Sequence, residues 1–272
     1  MSKHNDQPAR VTVKTLLKRK EDGQKITMLT CYDAAFAGIL EKSTLDMILV
    51  GDSMGNVVLG MKDTITVTMD QMVHHTAAVA RVTSRVMLVA DMPFMSYNIS
   101  LEQSLINATR LIQEGGAHAV KVEGGTAIVP QVRAMVQAGI PVVGHLGLTP
   151  QSIHTLGGYK VQGRGDEAQK MIREAKELAE AGVCALVLEL VPQGLAKEIS
   201  AAIKVPTIGI GAGPDTDGQV LVLHDMLGFP SEFSPKFLKR YATLGETIAA
   251  AVAQYDLEVK GGSFPSAEHS FQ

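Results

Sequence analysis

The chain has 272 residues, of which 46% are hydrophobic and 19% are charged, a balance typical of a globular protein with a sizeable core. Its formal net charge of −3 and the lack of a long basic run argue against a protein that binds nucleic acid. No apolar stretch reaches the roughly 18 residues that a membrane-spanning helix requires. Residues 1–10 also lack the apolar segment of a signal peptide, so we expect a cytoplasmic protein without membrane contact.

Short apolar runs recur along the chain, and several of them end in a charged residue or a glycine. The run from Met47 to Val50 is followed by Gly51 and Asp52. This pattern is typical of a buried parallel strand that carries a carboxylate at its C-terminal end. The predicted strands are 26–33, 47–55, 86–94, 119–125, 142–148, 185–190, 207–213 and the first part of 218–228.

Segments with helical spacing of apolar residues alternate with these runs. The predicted helices are 12–23, 34–44, 69–84, 100–116, 127–139, 166–182, 192–203 and 234–259. The alternating, β-branched stretch 56–68 predicts a small hairpin inserted at the rim. The polar, glycine-rich stretch 149–165 predicts a loop or lid over the same rim.

Eight strands interleaved with helices over about 250 residues predict a (β/α)₈ TIM barrel. We expect a single barrel domain over 1–272, with flexible tails at about 1–10 and 260–272. A doubly wound open sheet is the structural alternative, but the early GxGxxG signature of a dinucleotide-binding fold is absent. In a barrel the reacting groups lie at the C-terminal rim, where the polar residues of these strands fall.

Two aspartates, Asp52 and Asp91, each end an apolar strand. Neighbouring strands would bring their carboxylates together, and two close carboxylates repel unless a proton or a cation lies between them. Mg²⁺ is bound by a few carboxylates and leaves other positions to water or substrate oxygens, and Glu123 on the next strand is a candidate third ligand. A single aspartate at the end of a strand is more often a helix cap or a partner of loop amides, but Asp52, Asp91 and Glu123 together favour a metal site.

Lys121 and Glu123 are two residues apart on one strand and therefore face the same side. Lys121 is either a Schiff-base nucleophile, a cation that steadies a substrate carboxylate or enolate, or half of an ion pair with Glu123. Glu189 ends the sixth strand and is a candidate general base. His145 could bind substrate or relay a proton, although a lone strand histidine is more often structural, and Ser53 could bind a substrate oxyanion.

Other polar residues and glycines have simpler interpretations. Cys31 and Cys184 lack metal-ligand spacing and are expected to be buried, reduced thiols. His74 and His75 lie in mid-helix and are expected to be structural. The glycines of the GIGAG string, 209–213, permit a close approach of the backbone to an anion or simply form a tight loop.

Long strings of the sequence make it resemble the ketopantoate hydroxymethyltransferase family from about residue 11 to about residue 256. These strings are LTCYDA (29–34), VGDSMGNVVLG (50–60), ADMPFMSY (90–97), AVKVEGG (119–125), GHLGLTPQS (144–152), GGYKVQGR (157–164), LVLELVP (186–192), IGIGAG (208–213) and GQVLVLHDMLG (218–228). The resemblance implies a barrel of the phosphoenolpyruvate/pyruvate superfamily type. It also implies a homo-oligomer, with bacterial members similar to decamers built from two pentameric rings.

The resemblance further implies a set of roles for the residues at the rim. One Mg²⁺ per subunit would bind to Asp52 and Asp91, with Glu123 close to the metal, and the 2-oxo acid would chelate the ion. Ser53 and Lys121 would bind the substrate carboxylate, His145 would lie in the pocket, and Glu189 would be the base.

The implied reaction transfers a hydroxymethyl group from 5,10-methylenetetrahydrofolate to 3-methyl-2-oxobutanoate. It gives 2-dehydropantoate and tetrahydrofolate and begins pantothenate synthesis. Glu189 would remove the C3 proton, and the enolate would attack the methylene carbon of the folate, which is expected to lie across the rim near 149–165. A related 2-oxo-acid lyase or Schiff-base aldolase, and a non-catalytic oligomeric scaffold, remain the alternative hypotheses.

Overall fold

The computed structural model describes residues 9–229 and 235–271, and its central feature is a closed barrel of parallel strands. Each strand pairs with the next along the chain, and the eighth pairs with the first. The strands are β1 (Ile26–Thr30), β2 (Met47–Val50), β3 (Met87–Asp91), β4 (Ala119–Glu123), β5 (Val142–Gly147), β6 (Ala185–Glu189), β7 (Thr207–Ile210) and β8 (Gly218–Leu221). The predicted barrel is therefore confirmed, and the doubly wound open sheet is wrong.

Helices connect these strands, and all eight predicted helical segments contain one. The helices are α1 (Val13–Glu21), α2 (Ala34–Glu41), α3 (Met54–Val57), α4 (Met69–Ala80), α5 (Leu101–Gln113), α6 (Val129–Gln137), α7 (Ile153–Leu156), α8 (Glu167–Ala181), α9 (Gln193–Ala202), α10 (Leu223–Met226) and α11 (Leu244–Lys260). Local chemistry sets several helix ends: the Asp33 side chain accepts a hydrogen bond from the Phe36 amide at the start of α2. Among the helices of residues 9–229 and 235–271, none is long and apolar enough to cross a bilayer.

Alternate residues of each strand pack into two separate apolar layers. Val120 and Val122 of β4 belong to the layer between the barrel and its helices, together with Leu111 of α5 and Val132 of α6. The intervening residues face the barrel interior, where methionine, valine and alanine side chains such as Met87 fill the centre. Since side chains alternate along a strand, Lys121 and Glu123 must point inward, as the sequence predicts.

The stretch 56–68 does not form the predicted hairpin. The structure has the short helix α3 there, followed by turns, and the next element begins at the Thr68 cap of α4. Contacts within the loop take the place of hydrogen bonds between two strands. The Asn56 side chain donates a hydrogen bond to the Met61 carbonyl, and Val67 is buried. The prediction was wrong because an alternating pattern of β-branched residues indicates that a segment is half-buried, and a packed loop can be half-buried as well as a strand.

The chain divides into two compact units, Met1–Val222 and Leu223–Gln272, and all the predicted site residues lie in the first. In the second unit α11 begins at Leu244 rather than at residue 234, because the amides of Tyr241, Leu244 and Gly245 bond to carbonyls of residues 226–228 instead of continuing a helix. A 3₁₀ turn, Ala267–His269, follows α11. Residues 1–8 of the predicted tail, 230–234 of the predicted helix and 272 lie outside the described residues, and the single domain with flexible tails stays a prediction.

Candidate active site

Strand register brings five of the predicted site residues to one rim of the barrel. Asp91 ends β3 and is the register partner of Lys121 on β4. Two residues further along β4, Glu123 is paired with His145 on β5. Glu189 ends β6 opposite the last residue of β5. All five side chains therefore follow the inward-facing positions of their strands, at or near the C-terminal ends of those strands.

The segment after β2 adds Asp52 and Ser53 to this rim. The Asp52 amide donates a hydrogen bond to Oδ2 of Asp91 at 3.0 Å, which ties the end of β2 to the end of β3. The Ser53 and Tyr32 hydroxyls lie 2.9 Å apart. A Cβ at Gly51 would lie 2.8 Å from the Ser53 oxygen, so a larger residue there would displace the Ser53 hydroxyl.

Lys121 has a different main partner from the one its sequence position suggests. Its Nζ lies 2.6 Å from Oδ1 of Asp91 and 3.8 Å from Oε1 of Glu123. The Lys121 and Asp91 side chains are both 4% exposed, so this is a buried ion pair. Lys121 thus lies between two carboxylates rather than in an isolated pair with Glu123.

His145 lies between two carboxylates without a close hydrogen bond to either. Its Nδ1 is 3.6 Å from Oε1 of Glu123, and its Nε2 is 3.5 Å from Oε2 of Glu189. Neither ring nitrogen has a hydrogen-bond partner among the residues that the structure describes. An unpartnered buried ring is unusual for a structural histidine, and it suits a residue that binds a ligand or moves a proton.

Two neutral residues of this site, Gln151 and Tyr97, are absent from the sequence-based prediction. The Gln151 side chain donates to Oδ2 of Asp52 at 2.9 Å, and its backbone amide donates to Oε2 of Glu123 at 3.0 Å. The Tyr97 hydroxyl lies 2.9 Å from Oε1 of Gln151. Both residues lie in strings that carry the family resemblance, which was the only sequence signal that pointed to them.

Burial makes the carboxylates of the site hard to ionise. Burial and the charges of Asp91 and Glu123 raise the pKa of Asp52 well above its usual range. Burial raises the pKa of Glu123 to about 8, and burial likewise raises the pKa of Glu189 to about 8 against the opposing charge of Lys121. Several carboxyl groups thus lie near one lysine, and a bound cation would favour their ionised form.

The pKa values of the two basic groups, Lys121 and His145, are shifted in opposite directions. Burial lowers the pKa of Lys121, but the carboxylates of Asp91, Glu123 and Asp52 outweigh burial and hold that pKa above its usual value. Burial and the charge of Lys121 lower the pKa of His145 well below its usual value. Lys121 is thus an ammonium ion and His145 a neutral ring at pH 7. A protonated lysine cannot attack a carbonyl, which disfavours a Schiff-base mechanism.

The carboxylate oxygens of Asp52 and Asp91 suit a hard divalent cation that is bound by few protein ligands. Among residues 9–229 and 235–271, no three acidic, histidine or cysteine side chains converge into a ready-made metal cage. Mg²⁺ does not need one, because it commonly binds through one or two carboxylates and retains water or substrate oxygens. Asp52 and Asp91, joined by the hydrogen bond from the Asp52 amide to the Asp91 carboxylate, supply such a pair, and a cation there would stabilise the ionised form of the buried carboxylates.

The residues expected to be structural make ordinary contacts. Cys31 and Cys184 are free and buried, and burial raises their pKa values to about 11 and about 12, so both remain unreactive thiols. Nδ1 of His75 lies 2.7 Å from the Tyr32 carbonyl, a structural contact at the base of the site. A Cβ at Gly209 would lie 2.7 Å from the Thr216 hydroxyl, so this glycine serves close packing.

Comparisons with known proteins agree with this geometry. A sequence profile of the family described as ketopantoate hydroxymethyltransferase matches residues 10–267. A 3-methyl-2-oxobutanoate hydroxymethyltransferase from Moorella thermoacetica is 57% identical over 267 residues, which cover 98% of this chain and 99% of that relative. Its counterpart from Thermoanaerobacter sp. is 59% identical over 263 residues, with 96% of each chain covered.

Solved structures with little sequence similarity share the fold. A 2,3-dimethylmalate lyase of the PEP mutase/isocitrate lyase superfamily superposes with a TM-score of 0.61 at 17% identity, covering 97% of this chain and 93% of its own. A phosphoenolpyruvate phosphomutase from Streptomyces platensis superposes with a TM-score of 0.62 at 14% identity, covering 92% and 88%. These likenesses show the barrel fold alone.

Proposed function

The chain belongs to the ketopantoate hydroxymethyltransferase family, and we propose that the carboxylates at its barrel rim enolise the 2-oxo acid that receives the hydroxymethyl group. It transfers a hydroxymethyl group to 3-methyl-2-oxobutanoate and forms ketopantoate, a step of pantothenate biosynthesis. The co-substrate of the proposal is 5,10-methylenetetrahydrofolate, which leaves as tetrahydrofolate.

One observation supports the proposal most directly: the charge of the buried Lys121 ammonium group interacts with four carboxyl groups at the rim. Asp52, Asp91 and Glu123 are at most 6% exposed, and the Glu189 side chain is 15% exposed. Asp52 and Asp91 would hold one Mg²⁺ per subunit, with Glu123 beside it. When bound, Mg²⁺ supplies a Lewis acid at the keto oxygen of the substrate, which makes the C3 hydrogen more acidic.

Glu189 is the general base of the proposed reaction. It removes the C3 proton of 3-methyl-2-oxobutanoate, and the C3 electron pair forms the new bond to the methylene carbon of the folate in its iminium form, whose C=N π electrons return to nitrogen. Water then supplies the hydroxyl group to this carbon and a proton to the folate nitrogen, as the remaining C–N bond breaks and tetrahydrofolate leaves. Burial raises the pKa of Glu189 to about 8, close to the range in which proton transfer is efficient. Nε2 of the neutral His145 lies 3.5 Å from this carboxylate, so His145 is placed to exchange a proton with it.

Ser53 and Lys121 bind the carboxylate end of the substrate. Lys121 stays protonated among its acidic neighbours and acts by its charge. The Ser53 hydroxyl is held by Tyr32 and faces the same rim as Asp52. A 2-oxo carboxylate that enters this site would meet one fixed cation and one hydroxyl, which sets its orientation relative to Glu189.

The folate is proposed to lie across the rim, against the segment 149–165. This segment begins with a 3₁₀ turn, Pro150–Ser152, and the short helix α7, and it carries the half-exposed Tyr159. Burial, together with the charges of Glu189, Asp63 and Asp52, raises the pKa of Tyr159, so the acidic groups of the site act on its hydroxyl.

We also propose that the chain forms a homo-oligomer, a decamer by family resemblance, and acts in the cytoplasm. In the C-terminal unit, α11 has no buried residue and exposes one apolar row of side chains, Ile248, Val252, Tyr255 and Val259. An exposed apolar row of this kind is typical of a surface that is covered in an assembly.

Removal of divalent ions tests the proposed function directly. We expect the formation of ketopantoate to fall to background in excess EDTA and to recover when Mg²⁺ is added, because Lewis-acid catalysis supplies several kcal/mol of transition-state stabilisation. Product is measured by mass spectrometry after incubation with both substrates. Full activity in EDTA, with the metal content of the protein verified as negligible, would rule out a metal-dependent reaction.

A further inference from the structure

Gln151 is a buried neutral residue that contacts two of the acidic residues of the site. It lies on the 3₁₀ turn after β5 and is 6% exposed. Its Nε2 donates to Oδ2 of Asp52 and to the Met92 carbonyl, both at 2.9 Å, and its backbone amide donates to Oε2 of Glu123 at 3.0 Å. A single residue thus joins the end of β2, the end of β3 and the carboxylate of β4.

The chemistry of its neighbours fixes the orientation of the Gln151 amide. The Met92 carbonyl only accepts hydrogen bonds, so it must face the amide nitrogen. Oε1 then faces the Tyr97 hydroxyl at 2.9 Å, and that hydroxyl accepts a hydrogen bond from the Glu123 amide at 3.1 Å. The bonds form a continuous path from the backbone of Glu123 to the carboxylate of Asp52.

We propose that Gln151 is a positioning residue, which fixes the carboxylates of Asp52 and Glu123 in the arrangement that binds the divalent cation. The inference rests on the proposed function, in which these carboxylates hold or adjoin Mg²⁺. Each hydrogen bond from Gln151 occupies one oxygen of its carboxylate, Oδ2 of Asp52 or Oε2 of Glu123, and restricts rotation of that group. Partners of metal ligands commonly affect metal affinity about 10- to 100-fold for this reason.

The proposed role requires that the Gln151 side chain is uncharged. A glutamate at this position would place another carboxylate against Asp52 and the Met92 carbonyl, and would repel both. A methionine would fill a similar volume without donating a hydrogen bond. Gln151→Met therefore removes the bonds of the side chain while it retains packing and the bond from the backbone amide to Glu123.

Calorimetric titration of the full-length protein with MgCl₂ tests the proposal. For Gln151→Met we expect the Kd of Mg²⁺ to increase by about 10- to 100-fold. We expect the loss of activity in this variant to become smaller as the Mg²⁺ concentration rises, because the base and the substrate contacts remain. The matched control is Gln137→Ala, an exposed glutamine at the end of α6, whose Kd should equal that of the parent.

The outcomes separate this inference from the function on which it rests. A parent protein that does not bind Mg²⁺ would refute the proposed metal site itself. A parent that binds, together with a folded Gln151→Met variant of equal Kd, would overturn the positioning role alone. If circular dichroism shows that Gln151→Met is unfolded, Tyr97→Phe takes its place, since it removes the hydroxyl that bonds both Oε1 of Gln151 and the backbone of Glu123. An unchanged Kd there would also overturn the role.

Discussion

Replacement of Asp52 or Asp91 by asparagine is expected to lower kcat/KM by about a thousandfold. Lewis-acid catalysis contributes several kcal/mol, and each 1.36 kcal/mol corresponds to about a tenfold change in rate. Asparagine keeps the size of the side chain but removes the charge that attracts Mg²⁺. In Asp91→Asn the ammonium of Lys121 also loses its 2.6 Å partner. Initial rates over a range of MgCl₂ concentrations give the measurement.

Asp46→Asn is the matched control for this pair of variants. Asp46 is a buried carboxylate directly before β2, at the opposite end of the strand from Asp52, and it forms a 2.7 Å ion pair with Arg19. Its loss should lower the melting temperature and leave kcat/KM close to that of the parent. Near-normal activity in Asp52→Asn or Asp91→Asn, without a higher requirement for Mg²⁺, would contradict the assignment of the aspartate that was replaced.

Glu189→Gln is expected to lower kcat by about 10²- to 10⁴-fold, the usual contribution of a positioned general base. The amide cannot accept the C3 proton, whereas it occupies nearly the same space as the carboxylate. The KM for 3-methyl-2-oxobutanoate and the Kd of Mg²⁺ should change little, because neither depends on Glu189 in the proposed mechanism. Steady-state kinetics and calorimetry separate these effects.

The pH dependence of the parent enzyme gives a second test of Glu189. A base must be deprotonated to act, and burial raises the pKa of Glu189 to about 8. The rate should therefore rise with pH below about 8 and level off above it. In Glu189→Gln the residual rate should lose this dependence, while Glu198→Gln, an exposed glutamate on α9, should retain both rate and profile. A residual rate that keeps the parental profile would assign the titrating base to another residue.

The barrel and its polar rim were accessible from the sequence because buried parallel strands have a simple pattern. The run ending at Asp91 and the run containing Lys121 and Glu123 are continuous and apolar apart from the residues that face the barrel mouth. Once the order of strands is known, their C-terminal ends must meet at one rim. Strand register, which pairs Asp91 with Lys121, follows from closure of the barrel and is not visible in any short segment.

Gln151 and Tyr97 could not be predicted from pattern because neutral loop residues carry no periodic signal. Gln151 lies in a stretch that resembles an exposed loop, and its burial depends on carboxylates that β2 and β4 bring to it. The main ion pair of Lys121 was missed for a related reason, since Glu123 is nearer in sequence but Asp91 is nearer in space. Contacts between loops and strand ends are set by the complete fold.

Proton NMR of 3-methyl-2-oxobutanoate in D₂O, with the enzyme and without folate, tests most directly whether the site enolises its substrate. With Mg²⁺ we predict that the C3 proton signal disappears as deuterium replaces it. In EDTA, and with Glu189→Gln, the signal should persist. Exchange that continues undiminished in EDTA would contradict metal-assisted enolisation, and an adduct trapped on Lys121 by borohydride in the same sample would establish a Schiff base instead.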